Sequence, residues 1–238
     1  MIWFLISLTV VGMFCALTYP LYAVSAPKKK LVLKTIASLA FVAGAIVAAQ
    51  IIRKQPSIPN MPNAYSYANM ILIALIFGMG GDIFLALPGV FPRYAKLVTV
   101  IGGSLFLTGH IIYLVLFFGL ASFNYWLLLL LPLFFGIPFL FLKPLSKMLG
   151  KAAPLAAVYS SAIGLLIMST LSLLITVPSA MTAMLLVAAV FFSTSDYILF
   201  AQNALKDLKK RMITSYCVAG LYFTAQWIFV YTILFGGL

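Results

Sequence analysis

An all-α bundle of eight membrane-spanning helices is what this sequence predicts, on three observations. Apolar runs of about 20 residues recur along the chain, the length a helix needs to cross ~30 Å of hydrocarbon. Hydrophobic residues make up 65% of the 238 and charged residues only 8%, against roughly 25% charged in soluble domains. The basic residues gather between the runs rather than inside them. Barrel strands would alternate polar and apolar residues, which these runs do not. No linker is long enough to separate domains, so residues 1–238 read as one multi-pass bundle, expected in the cell membrane.

The first run, about Ile2 to Val24, has no basic stretch before it and reads as an uncleaved span rather than a signal peptide. It stops at Ala26-Pro27-Lys28-Lys29-Lys30. The second covers about Leu31 to Ile52, with Lys34 near its start. After Arg53-Lys54 come Pro56, Pro59 and Pro62, whose three-residue spacing favours an extended segment. The third, about Tyr67 to Leu87, carries Asp82 and ends at Pro88-Gly89, a stop signal. The fourth, about Leu97 to Leu120, holds His110. The fifth, about Tyr125 to Leu142, is expected to kink at Pro132 and Pro138. The sixth, about Pro154 to Val177, opens on a proline suited to a first turn. The seventh, about Ala180 to Gln202, carries Asp196, and the eighth covers about Ile213 to Phe235.

Charge then orients the bundle. Of the fifteen Lys and Arg residues, twelve fall in the loops after spans one, three, five and seven. Only Arg53 and Lys54 fall in the loops after spans two, four and six. By the positive-inside rule the first set is cytoplasmic, and both termini face out. The net charge of +12 is thus a matter of topology and of contact with anionic lipid, not of nucleic acid. Cys15 and Cys217 both lie inside apolar runs, so neither a disulfide nor a Cys-based metal framework is implied.

Only three acids occur in the whole chain. Asp207 stands in a basic loop, where an ion pair with its lysines is worth little. Asp82 and Asp196 stand inside spans, where a charge costs from ~2.5 kcal/mol upward and marks a functional site by default. Their surroundings match as [Gly/Ser]-Asp-x-x-Leu, in Gly81-Asp82-Ile83-Phe84-Leu85 and Ser195-Asp196-Tyr197-Ile198-Leu199. Such an echo suits either a duplicated four-helix unit or coincidence. At 1.5 Å per residue both acids sit roughly 8–9 Å from the cytoplasmic ends of their helices. Lys34 and Tyr159 share that third of the membrane, and His110 lies further from it.

The inventory excludes several chemistries. One histidine and two intramembrane acids are a thin metal set, and no spacing suits zinc. Gly102-x-Ser104 lacks the second glycine of a nucleophile elbow, Phe106 standing there. No glycine-rich phosphate loop occurs, and no cofactor is expected. Acid–base work by the carboxylate pair remains: two acids close together in low dielectric do not both ionise easily, so one serves as acid and one as base. The alternative is that each aspartate only joins two helices. His110 has the same two readings, orienting a substrate or joining helices. Lys34 either binds phosphate, offsets the acids or snorkels from a helix end. Tyr159, Tyr222 and Gln226 either line a polar pocket or join helices.

Four motifs in order, Gly81-Asp82-x-x-Leu85, Gly109-His110-x-x-Tyr113, Ser195-Asp196-x-x-Leu199 and Tyr222-x-x-Ala225-Gln226, resemble the YhhN-like lysoplasmalogenase family over spans two to eight. The chain departs from that pattern at Thr35, where a proline is expected after Lys34. The resemblance implies hydrolysis of the vinyl-ether bond of lysoplasmalogens to a fatty aldehyde and glycerophosphoethanolamine or glycerophosphocholine. It puts Asp82 and Asp196 in the catalytic role and His110, Tyr222 and Gln226 beside them. Vinyl-ether hydrolysis needs an acid, a base and negative charge beside an oxocarbenium ion, which two aspartates supply. The partners so implied are a lysophospholipid and membrane lipid. A proton-coupled or lipid transporter using the same carboxylates is the rival reading.

Overall fold

The computed structural model describes residues 1–22, 25–54, 62–130, 132, 153–202 and 207–235, and among them every regular element is helical. Among the described residues, seven helices are long and apolar enough to cross a membrane: α1 (Ile2–Thr18), α2 (Pro27–Arg53), α3 (Pro62–Ala86), α4 (Ala95–Leu120), α5 (Ala153–Thr176), α6 (Ala180–Gln202) and α7 (Leu208–Thr232). The last three are the sixth to eighth expected spans. Most of the fifth, with its kink at Pro138, lies outside the described residues. Its start, Tyr125–Leu130, is a 3-10 helix. The extended segment expected around Pro56 and Pro59 also lies outside them.

Several helices run past the edges that hydropathy sets. α2 and α3 begin at Pro27 and Pro62, four and five residues before the expected starts. Proline is favoured in a first turn, where its missing N–H is not needed and its φ is already helical. α7 begins at Leu208 because the Asp207 carboxylate accepts from the backbone N–H of Lys209 at 2.8 Å and of Lys210 at 3.4 Å. Asp207 is therefore an N-cap, not merely a loop partner of lysines. At α1 the α-helix stops early, at Thr18, and Tyr19–Tyr22 tightens into a 3-10 turn, since Pro20 cannot donate the next α-helical hydrogen bond.

Chain neighbours pack together from α1 through α7, and α1 meets α7, which closes a ring. α7 also leans inward against α2 and α3. Ala219, Tyr222, Phe223, Ala225, Gln226, Trp227, Phe229 and Val230 are all buried on it, as expected of a helix enclosed on most sides. Small residues permit this closeness. A Cβ on Gly44 would come within 2.6 Å of the Trp227 ring, and one on Gly109 within 3.2 Å of the Ala74 carbonyl oxygen.

α4 and α5 run parallel. The His110 ring meets Tyr159 at 5.3 Å, and some 20 Å further along α5, at 1.5 Å per residue, Ser172 Oγ accepts at 2.7 Å from the N–H of Asn124, just past the C-terminal end of α4. α4 therefore ends and α5 begins at opposite ends of the bundle. The other helices alternate. The ends of α3 and α6 and the starts of α2 and α7 come together around one cavity, and this is the end that carries Lys28, Lys29, Lys30, Lys209, Lys210 and Arg211. Arg53 and Lys54 are at the other, where Tyr67 of α3 donates to Thr232 of α7 at 2.7 Å.

Candidate active site

Asp82 occupies a seat built by three helices. The ring of Phe106, from α4, lies where a Cβ on Gly81 would stand, so glycine brings this turn of α3 hard against α4. The Asp82 residue is 1% exposed. Its Oδ2 accepts from Ser38 Oγ at 2.6 Å and from the Tyr222 hydroxyl at 2.8 Å. Its Oδ1 faces Lys34 Nζ at 2.9 Å, an ion pair without hydrogen-bond geometry. Lys34 and Ser38 are four apart on α2 and so share a face. α2 thus supplies a cation and a hydroxyl, and α7 supplies the second hydroxyl.

Asp196 is held differently. Tyr159 of α5 donates to its Oδ2 at 2.8 Å, and Ser195 beside it donates to the Val218 carbonyl at 3.1 Å, tying α6 to α7. His110 Nε2 stands 3.5 Å from Asp196 Oδ2. The other ring nitrogen, Nδ1, is 2.8 Å from the Phe106 carbonyl. A carbonyl only accepts, so Nδ1 carries hydrogen. Nε2 is aimed at the carboxyl but has no hydrogen-bond partner, so Asp196 and His110 are neighbours without a bond between them.

An aromatic wall links the two seats. Phe106, Phe192 and Tyr222 meet pairwise with centroids 5.4–6.4 Å apart, and His110 lies 4.5 Å from Phe192. Asp82 and Lys34 are both near enough to act electrostatically on Asp196. At the basic end of the bundle, beside both seats, is a cavity of about 90 Å³. Leu85 and Leu199, the closing leucines of the two aspartate motifs, both line it, with Lys30, Lys34, Gln202 and Ser215.

All seven residues expected at the site are close together here. Asp82, Lys34 and Tyr222 form one cluster, and Asp196, His110 and Tyr159 the other. Gln226 stands one turn along α7 from Tyr222 and accepts from the Tyr113 hydroxyl at 3.3 Å. Gly78 opens room for both Gln226 and Tyr222, a Cβ there lying 3.4 Å from each polar end. Sequence reasoning passed over Ser38, although its spacing from Lys34 places it on the same helical face. Phe192 carried no signal, being one phenylalanine among twenty.

A model of the YhhN family matches residues 29–233. The chain belongs to the YhhN family. The match takes in nearly all of α2 and the whole of α3 through α7, and with them all seven expected site residues. No curated protein and no solved structure matches the chain. For this YhhN protein the arrangement of the site itself therefore carries the chemical argument.

Proposed function

We propose that this YhhN protein hydrolyses the vinyl-ether bond of a lysoplasmalogen, releasing a fatty aldehyde and a glycerophospho-alcohol. The observation that carries this reading is the pair of buried carboxylates with unlike escorts beside one cavity: Asp82 beside a cation and two hydroxyls, Asp196 beside a hydroxyl and an imidazole. Family membership supports the same chemistry.

In this reading Asp196, beside His110, delivers a proton to the β-carbon of the vinyl ether. The π electrons form the new C–H bond, and the ether oxygen shares the positive charge left on the α-carbon. Asp82, held as an acceptor by Ser38, Tyr222 and Lys34, offers negative charge to that oxocarbenium ion and takes a proton from the attacking water. The hemiacetal then collapses: its hydroxyl returns a proton to Asp196 as the C=O bond forms, the C–O bond to glycerol breaks, the glycerol oxygen takes the proton held on Asp82, and the aldehyde leaves. No covalent intermediate is needed. The apolar tail can remain among the helices while the polar end faces the cavity.

The test is aldehyde release by purified protein in detergent from a 1-alkenyl lysophospholipid, beside a 1-acyl lysophospholipid control. The wild type should release aldehyde from the first and nothing from the second. Asp82→Asn and Asp196→Asn should each fall to background, and the double variant should lose little more, because groups acting as a unit are not additive. Substantial turnover in either single variant that still elutes as folded protein would return that aspartate to a structural role. Flux of lysolipid across proteoliposomes without chemical change would favour a transporter instead.

A further inference from the structure

The cavity at the basic end holds more positive charge than the site beside it consumes. Lys30 and Lys34 lie one turn apart on α2 and both line it. The Lys34 ammonium is committed to Asp82. Lys30 is half-buried, and among the described residues no acid pairs with it. Arg211, on the first turn of α7, stands near enough to act on Lys30 electrostatically, as does Lys34. Asp196 is engaged by Tyr159 and flanked by His110, and Asp207 is spent on the N-cap of α7. With three acids in the chain, no further carboxylate is left to balance Lys30.

An unbalanced cation drawn into a half-covered cavity loses hydration without gaining a partner, which is costly unless an anion arrives. The polar rim is bonded to itself: the Gln202 amide donates to the Arg211 carbonyl and to Ser215 Oγ, and Ser215 Oγ donates to the same carbonyl, which holds α6 against α7. Lys30 is therefore the group of this lining with charge left to offer an anion. Leu85 and Leu199 form the apolar side toward the aspartates. A volume of about 90 Å³ has room for a compact polar group but not for a whole lipid.

We propose that this cavity binds the head-group phosphodiester of a glycerophospholipid, with Lys30 as the cation that receives it. The inference rests on the lysolipid reading above and adds to it a reason for the phosphate: anchored at Lys30, the glycerol backbone is drawn toward Asp82 and Asp196.

Binding can be measured without turnover by using a saturated-ether analogue, radiolabelled 1-O-hexadecyl-glycero-3-phosphoethanolamine, on immobilised full-length protein in detergent. Lys30→Gln should bind it roughly tenfold more weakly, the loss expected of one charge-assisted contact at a partly exposed rim. Lys30→Arg should bind like the wild type. Glycerophosphoethanolamine should displace the label, and hexadecylglycerol, which lacks the phosphate, should not. Equal binding by Lys30→Gln, or equal competition by hexadecylglycerol, would overturn the proposal. Displacement by inorganic phosphate but not by glycerophosphoethanolamine would make this a free-phosphate site and overturn the head-group assignment. A wild type that binds as expected yet releases no aldehyde would sink the hydrolase reading and leave the phosphate site standing.

Discussion

Lys34 is the residue at which the balance of charge inside this bundle is best tested. Asp82 is 1% exposed and Lys34 13%, so the pair lies mostly out of water. Replacing Lys34 with Met keeps the length and apolar stem of the side chain and removes the cation. Asp82 is then left with two hydroxyl donors, from Ser38 and Tyr222, and no countercharge. Breaking a buried pair from one side costs about 3–5 kcal/mol. Asp82→Asn is milder, about 1 kcal/mol, because the amide oxygen still accepts from a hydroxyl and the Lys34 ammonium can turn toward the cavity it already lines. In the double variant neither charge remains, so its loss should fall well short of the sum, with a coupling of about 2–3 kcal/mol. The assay is apparent melting temperature in detergent, read as the monodisperse fraction after heating. At ~2–4 °C per kcal/mol for a chain of this size, Lys34→Met should melt roughly 6–20 °C below the wild type, and the double variant well above Lys34→Met. Additivity within ~0.5 kcal/mol, or a Lys34→Met variant no weaker than Asp82→Asn, would show that the pair is solvated and that the seat does not depend on it.

Three further outcomes follow from individual contacts. Asp207→Ala should lower stability by about 1 kcal/mol through loss of the α7 cap, whereas Asp207→Asn, also a good cap, should cost only a few tenths; both should keep wild-type turnover, and a large activity loss would place the start of α7 in the site. Gly81→Ala should push the Phe106 ring off α3 at a cost of about 1–3 kcal/mol and disturb the wall that Phe106 forms with Phe192 and Tyr222; a variant with unchanged melting and turnover would show that α4 yields freely there. In a background lacking Cys15 and Cys217, Lys54→Cys should react with an impermeant maleimide on intact cells and Lys209→Cys only after permeabilisation; the opposite pattern would invert the orientation.

Much of this site could be read from the sequence because the membrane makes polar residues conspicuous. Asp82 and Asp196 stand out as acids in apolar runs, and counting residues from the helix ends put Lys34 and Tyr159 at their level. The contacts Lys34–Asp82 and Tyr159–Asp196 agree with that count. His110 was placed further from the basic end, and its neighbour Gly109 does lie against Ala74 and Gly78, about a turn or more from Asp82. Its ring nonetheless reaches Asp196, since a side chain spans more depth than a count of Cα positions allows. Ser38 and Phe192 were missed for a different reason. Serine and phenylalanine are ordinary inside such runs, and only the facing helix reveals which of them matter. Helix ends were misjudged where prolines or a cap start a helix in polar sequence, because hydropathy measures hydrocarbon thickness and not the reach of a helix.

The two aspartate motifs look interchangeable in sequence, yet their seats are not. Hydroxyls hold both acids, and a hydroxyl can support a carboxylate without adding charge to the interior. Only Asp82 also has a full cation beside it, whereas Asp196 has an imidazole. One helix bundle thus gives two like residues unlike neighbours, the arrangement that the proposed acid–base division of labour requires. The matching leucines have a plainer explanation than duplication. Three residues on from each aspartate is nearly one turn toward the basic end of a parallel helix, and there Leu85 and Leu199 form the apolar side of the same cavity. The echo is accounted for by two parallel helices converging on one cavity, whatever their ancestry.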